Sequence, residues 1–385
     1  MEYNFPTIRT IDDVLPHISG RSEFIIAERP FGKIINYAVA MSDTFDMKGP
    51  DDIGGAIRRE LRGIIFDNKG NIISRPFHKF FNIGEREETM PYVLDFSRDH
   101  IITTKVDGSM LRPIEFDNKI RWATKMGITD VAEFAEKYIE KNSHFNDFAS
   151  FCISQNLTPI FEYVGPFNKV VLDYEEGMIL LAVRENISGK YLNIHEETQD
   201  YYILEMISRY NIPVVQVHSR FESAKALIEY TKPLIGVEGF VVDFNGHKLK
   251  VKADQYVMIH NIKELIREER NIAAIIVNEK LDDIIPFLDG PSLETIRAYE
   301  IRFCAALDNV LNRLESLVNL ARVLHGGVKK EVAINFVQNL INKEDASFIF
   351  SALDGKELRP LVIKKIKDSV SNGQKYEKLM RWLEA

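Results

Sequence analysis

The chain has 385 residues, 45% of them apolar and 28% charged, an ordinary globular composition with room for two or three domains. A net charge of −8 excludes a non-specific nucleic-acid coat, so phosphate binding would need a local cluster of Lys and Arg. The two distant cysteines, Cys152 and Cys304, exclude a disulfide framework or a Cys-rich metal site and fit a reducing compartment.

The first residues, MEYNFPTIRTIDDVL, lack the basic-then-apolar order of a signal peptide. No apolar run approaches the roughly 20 residues of a membrane span, so a cytoplasmic protein with no membrane partner is expected. Residues 24–40, FIIAERPFGKIINYAVA, read as a hairpin turning at Pro30–Gly32, and 62–77, RGIIFDNKGNIISRPF, as another turning at Asp67–Asn71. LRPIEFDNKIRWATK (111–125) repeats the pattern. ITDVAEFAEKYIEKN (128–142) places Val131, Phe134, Ala135 and Tyr138 at helical spacing. TPIFEYVG (158–165) and MILLAVREN (178–186) read as strands, the second buried on both faces, and ESAKALIEYT (222–231) as a short helix. VEGFVVDFNGHKLKVK (237–252) is a hairpin with an Asn-Gly turn. Antiparallel pairs dominate, which predicts an α+β fold. After about residue 260 strand signals stop. LETIRAYEIRFCAALDNVLNRLESLVNLARVLH (293–325) is one long amphipathic helix stopped by Gly326–Gly327, and KKEVAINFVQNLIN, EDASFIFSAL, RPLVIKKIKDSV and KYEKLMRWLEA read as further helices. A boundary near residue 260 therefore divides a mainly antiparallel domain, 1–260, from an all-α domain, 261–385. The acidic excess belongs to the first, because 261–385 carries 19 residues of each sign.

Lys105 ends a β-branched run and is followed at once by Asp107-Gly108-Ser109. Alone, a lysine beside an Asp-Gly turn is usually a solvated corner. Three further features bear on it. Lys248, Lys250 and Lys252 alternate with Leu249 and Val251, so the lysines share one face of a strand. That face is either a solvated edge guarded against aggregation or a cationic ladder for a polyphosphate. Glu238 shares the alternation of Phe240, Val242 and Phe244, and Glu162 that of Ile160 and Val164. A carboxylate on an apolar face wants a cation or a donor.

A Lys-x-Asp-Gly motif, a Glu strand, a Glu-Gly strand and a Lys-x-Lys strand, in that order, resemble the covalent nucleotidyltransferases: polynucleotide ligases and mRNA capping enzymes. The finer detail is similar to the bacteriophage RNA ligase 1 family. Ser109 and Met110 follow the glycine here, whereas DNA ligases and capping enzymes usually carry Arg at the Met110 position. The resemblance covers about residues 20–285. It implies an ATP-dependent RNA ligase that forms a lysyl-AMP on Lys105 and needs Mg2+ or Mn2+. Its RNA partner would carry 5′-phosphate and 3′-hydroxyl ends, as in repair of tRNA or other RNA, and the protein would be a monomer, phage-encoded and acting in the host cytoplasm. By the same resemblance Arg62 and Lys79 contact phosphate, and Phe81 is a candidate adenine wall. Lys125, Gly108, Gly239 and Tyr256 belong to the nucleotide site with Asp107. Glu162 accepts from ribose hydroxyls, Glu238 binds metal, and Lys250 and Lys252 hold the α-phosphate. Asp282 and Asp283 are a further acidic pair for metal. Nearby cations would favour the neutral Lys105 amine, which must attack the α-phosphorus. Arg could not take its place, because it stays protonated.

One feature strains this assignment. A two-residue Asn245-Gly246 turn pairs Glu238 with Ala253, on the face opposite Lys250 and Lys252. A three-residue loop or a bulge would shift the register by one and bring Glu238 over, and that shifted register is the expectation. The nine histidines show no metal-ligand spacing. The C-terminal cluster Lys364, Lys365, Lys367, Lys375, Lys378 and Arg381 is either a solvated helix face or an RNA backbone contact. Competing functions are a DNA ligase or capping enzyme, and a catalytically silent RNA-binding adaptor, which would have no need of the nucleophile.

Overall fold

The computed structural model describes residues 4–49, 51–195 and 200–384. Its fold is α+β, in two compact units, Met1–Val257 and Met258–Ala385.

In the first unit the strands run β1 (Phe24–Arg29), β2 (Gly32–Tyr37), β3 (Ile64–Phe66), β4 (Ile72–Ser74), β5 (Phe81–Asn82), β6 (Ile101–Thr104) and β7 (Ser109–Phe116). They continue with β8 (Lys119–Ala123), β9 (Leu157–Val164), β10 (Gly177–Glu185), β11 (Tyr191–Leu192), β12 (Val217–His218), β13 (Gly239–Phe244) and β14 (His247–Lys252). They form three sheets in the orders β1-β2-β3-β4, β11-β10-β9-β7-β8 and β12-β6-β13-β14-β5. All pairs are antiparallel except β14 with β5. The hairpins close where the sequence supplies residues tolerant of positive φ: Asp117 (53°) and Asn118 (56°) between β7 and β8, Asn245 (52°) and Gly246 (94°) between β13 and β14.

Helices α1 (Ile53–Glu60), α2 (Asp130–Glu140), α3 (His144–Ser154), α4 (Tyr201–Arg209) and α5 (Ala224–Thr231) cover the sheets, and α6 (Asp254–Leu265) crosses the division between the units. Buried side chains of α2, α3 and α4, among them Ala135, Phe145, Phe148 and Ile203, pack with Trp122 and Phe161 of the second sheet. Each such large side chain contributes about 1.5–3 kcal/mol when fully buried. The third sheet turns Phe240, Val242, Phe244, Leu249 and Val251 towards Ala224 and Leu227 of α5. That leaves its other face free to line a site. Helix α1 has no clear signature in the sequence, because it contains Gly54 and Gly55. Its N-terminus is fixed by the Asp52 carboxylate, which accepts from the Gly55 amide at 2.9 Å.

The second unit holds α7 (Glu269–Val277), α8 (Leu281–Ile284), α9 (Gly290–His325), α10 (Lys329–Glu331), α11 (Asp345–Leu353), α12 (Leu358–Ser369) and α13 (Gly373–Leu383). Helix α9 is the expected long one. Asp289 caps it, accepting from the Ser292 amide at 3.0 Å, and Gly326 ends it at φ 59°. Ile296, Phe303, Val310 and Leu314 are buried along its inner stripe. The helix expected over 329–342 is broken instead. A π-helical turn, Val332–Phe336, follows α10, burying both Val332 and Phe336, and a 3-10 turn, Val337–Asn339, comes after. Among the described residues no helix is long and apolar enough to cross a membrane.

Candidate active site

The Lys105 motif is held from both sides. The Lys105 amide donates to Gly239 O at 2.8 Å, docking the end of β6 on the start of β13. Asp107 is buried. Its Oδ2 accepts from the Val171 and Leu172 amides at 2.8 and 2.7 Å, and its Oδ1 from the Tyr256 hydroxyl at 2.7 Å. A carboxylate so engaged fixes the loop and does not face the open pocket. Burial, with Glu238 and Asp107 nearby, pushes the Tyr256 phenol far up, so it stays a donor. Gly108 is obligatory for space: a Cβ there would meet Tyr163 O at 2.4 Å. Ser109 Oγ donates to Asn168 Oδ1 at 2.9 Å.

The β13–β14 hairpin corrects the expected register shift. Gly239 pairs with Lys252, Val241 with Lys250 and Phe244 with His247, so the turn is the plain two-residue one. Glu238 nonetheless reaches the lysine face. Its Oε1 lies 2.8 Å from both Lys105 Nζ and Lys252 Nζ. The strand begins only at Gly239, whose φ of 142° breaks the alternation that would otherwise send Glu238 to the apolar face. A Cβ at Gly239 would sit 2.0 Å from Val251 O, so only glycine allows this crossing of backbones. Glu238 thus leaves the row of Phe240, Val242 and Phe244.

The lysine face closes a pocket of about 640 Å3 between the second and third sheets. The third sheet supplies Thr103, Thr104, Val241, Lys248, Lys250 and Lys252, and the second supplies Ser109, Met110, Glu162 and Leu181. Arg62, Lys79 and Lys125 complete a ring of cations, with Lys105 and Gly108 at its wall. Burial first, then Lys79, Lys105, Lys252 and Arg62, pulls Lys250 down to about 7. Burial pushes Glu162 up to about 8, against the pull of Lys105 and with the help of Glu238. Lys248 bonds to Asp243 and lies over the Tyr191 ring at 4.4 Å, so it is the least free of the three ladder lysines.

Asp107, Glu238, Gly239 and Tyr256 support the pocket wall without lining it, and Phe81 stands elsewhere. Phe81 is buried in the core with Phe45, Ile35 and Leu61 and is absent from the pocket wall. The rings on the wall are Phe77 and Phe80. Lys79 Nζ lies 5.3 Å from the Phe81 centroid and 5.6 Å from that of Phe45. Asp282 and Asp283 open α8 in the second unit.

Arg112 carried no signal in the sequence. It is fully buried on β7, with Nε donating to Ser74 Oγ at 2.9 Å and NH1 to Thr124 O at 3.0 Å, while NH2 donates to Gly63 O. It therefore ties the backbone beside Arg62 to the backbone beside Lys125. Gly63 permits that approach, since a Cβ on it would stand 2.7 Å from Lys125 O.

A family model described as RNA ligase matches residues 60–256, just over half of the chain. The chain belongs to the RNA ligase family. The matched span holds Arg62, Lys105, Glu162, Glu238, Lys250, Lys252 and Tyr256, and the resemblance to the bacteriophage RNA ligase 1 branch is borne out by named relatives. A candidate RNA ligase of Thermovibrio ammonificans is 29% identical over 88% of this chain and 87% of its own length. RNA ligase 1 of bacteriophage TS2126 is 24% identical over 67% of this chain, which spans 63% of that relative. An RNA ligase of Rhodothermus phage RM378 is 24% identical over 79% of this chain and 81% of its own. Among solved structures, a Naegleria gruberi RNA ligase variant with AMP and Mn aligns over 48% of this chain and 58% of that one, at 14% identity and a TM-score of 0.38, too slight a likeness to support an argument.

Proposed function

We propose that the protein is an ATP-dependent RNA ligase acting through a covalent lysyl-AMP on Lys105. The observation that carries this reading is a lysine amine at the wall of a nucleotide-sized pocket, beside Arg62, Lys79, Lys125, Lys250 and Lys252, with Glu238 2.8 Å away. Arg62 and Lys79 hold the β- and γ-phosphates of ATP, and Lys250 and Lys252 the α-phosphate. The arriving phosphates replace Glu238 as partner of Lys252. Glu238 Oε1 is then the nearest acceptor for the proton that Lys105 must shed. A nitrogen–phosphorus bond forms at the α-phosphorus, the bond to the bridging oxygen breaks, and pyrophosphate leaves. The transferring group spreads negative charge over its oxygens, so positioned cations do most of the catalysis. Glu162 accepts from the ribose, Phe77 and Phe80 wall the adenine, and Asp107 and Tyr256 hold the motif in place. AMP then passes to an RNA 5′-phosphate, and a 3′-hydroxyl displaces it, as repair of a tRNA or another RNA would require.

Glu162 lines the pocket and the buried Glu238 bonds to two of its lysines, and among the described residues no group of three or more His, Cys, Asp or Glu could hold a metal. That donor set suits Mg2+ or Mn2+ bound through one or two carboxylates plus phosphates and water. Such an ion supplies charge neutralisation on the triphosphate. Asp282 and Asp283 are carried as a further acidic pair for metal.

The test is incubation with α-labelled ATP or GTP and Mg2+. An acid-labile covalent label from ATP is expected. No label with ATP, or a label that persists in Lys105→Ala, rejects the reading. Transfer of the label to 5′-phosphorylated single-stranded RNA and not to nicked DNA separates RNA from DNA sealing, and a GTP label would mark capping chemistry instead.

A further inference from the structure

Next to the nucleotide pocket lies a second groove of about 190 Å3, on the face of the first sheet whose Ile34 packs with Ile114 and Ala123 of the second sheet. Its lining alternates along two paired strands, as side chains on one face must. Ile25, Ala27 and Arg29 come from β1, and Ile34 and Asn36 from β2, where Ile25 pairs with Asn36 and Ala27 with Ile34. The opposite wall is Lys125 and Met126, and both also line the nucleotide pocket. Tyr37 closes the near end, and Lys79 Nζ of the nucleotide pocket lies 5.9 Å from its ring. The two cavities are therefore adjacent and share Lys125 and Met126 as a wall.

Three observations say what the groove suits. Its floor is apolar, and Ile25 is 49% exposed on it. Two exposed cations, Arg29 and Lys125, flank that floor. Asn36 is 7% exposed, yet its Oδ1 has no hydrogen-bond partner, and its Nδ2 meets only the Met126 sulfur at 3.1 Å. A thioether is a weak acceptor, and a buried amide left short of partners costs about 1–3 kcal/mol. Met126 is 52% exposed, so its side chain can swing away and open the amide to a ligand. An amide that both donates and accepts, an apolar platform and two cations form a receptor for a nucleobase and its phosphates.

We propose that this groove binds one nucleotide of the single-stranded RNA substrate, with its base on Ile25, Ala27 and Ile34, its edge on the Asn36 amide, and its phosphates between Arg29 and Lys125. This rests on the RNA ligase reading above and places the RNA on the Lys125 side of the adenylate.

The test uses the full chain and a 5′-phosphorylated single-stranded RNA carrying thiouridine at its ends. Photocrosslinks are expected on the peptide spanning Phe24–Tyr37. In Ile25→Glu, an exposed edge-strand change that the fold tolerates, RNA affinity is expected to fall about tenfold, through lost apolar contact and a like charge beside phosphate. Its covalent label from ATP should stay within about twofold of the natural protein, since the first step needs no RNA. Asn36→Leu should weaken RNA binding in the same way while keeping the fold as stable, because the unpaired amide is removed. Crosslinks confined to other peptides, or unchanged RNA affinity in both variants, would overturn the proposal. A protein that crosslinks in the groove but takes no label on Lys105 would instead refute the ligase reading and leave the groove standing.

Discussion

At the scale of single residues, the pocket is tuned by burial more than by contacts. Glu162 ionises only near 8, whereas an unfolded glutamate does so near 4.5. Between those values the unfolded chain releases the proton and the folded one keeps it. Folding stability is therefore lost progressively as pH rises from about 4.5 to about 8, and the loss is constant above. Glu162→Gln removes this penalty. Its stability should equal that of the natural protein near pH 4.5 and exceed it at pH 8, by on the order of 1–2 kcal/mol after screening by pocket water. Thermal melts at the two pH values decide, and an unchanged difference would show that the carboxyl is not buried against its charge. In the same pH 8 series nucleotide binding should weaken, separating what the residue does for function from what it does for the fold.

At the scale of elements, the β13–β14 hairpin positions the chemistry. The Lys-x-Lys alternation was legible because a strand has period two, and the Asn-Gly turn because positive φ has a small vocabulary. What could not be read was how Glu238 joins the lysines. A shifted register and a broken alternation both deliver it, and the choice lies in the backbone of Gly239, where sequence offers a glycine but no angle. Phe81 was misplaced for a related reason: residues 75–80 are irregular, so no periodicity says which of Phe77, Phe80 and Phe81 faces the pocket. Arg112 was invisible because its partners are two backbone carbonyls and a serine from three distant segments. Gly239→Ala should lower stability by about 3 kcal/mol or more, since the new Cβ meets a backbone oxygen and the φ is strained. A melting curve together with the ATP-labelling assay checks it. A variant that melts like the natural protein and still labels would remove Gly239 from this role.

At the scale of the whole molecule, the two units have separate cores, the second built around Phe303, Leu314, Ile366 and Trp382. The expected antiparallel-then-helical order was legible because hydrophobic period changes from two to 3.6 near residue 260. Helix α6 blurs that boundary, because Tyr256 anchors Asp107 in the first unit while Ile262 packs on the core of the second. A chain ending at Leu265 keeps α6 whole and should still form the covalent label with ATP. One ending at Ala253 lacks Tyr256 and should lose most of it. Equal labelling by the two, measured beside their melting curves, would show that the Tyr256 tether is dispensable. The basic C-terminal helices offer fewer open cations than their sequence suggests: Lys365 and Lys378 both pair with Glu344, at 2.5 and 3.0 Å.

The depressed Lys250 has a consequence for chemical modification. Acylating reagents attack neutral amines, and at neutral pH a lysine held near 7 presents far more neutral amine than an ordinary one. Lys105, meanwhile, is engaged by Glu238. In the resting protein a reagent small enough to enter the pocket would therefore acylate Lys250 more readily than an ordinary lysine, next to the one that nucleotide finds.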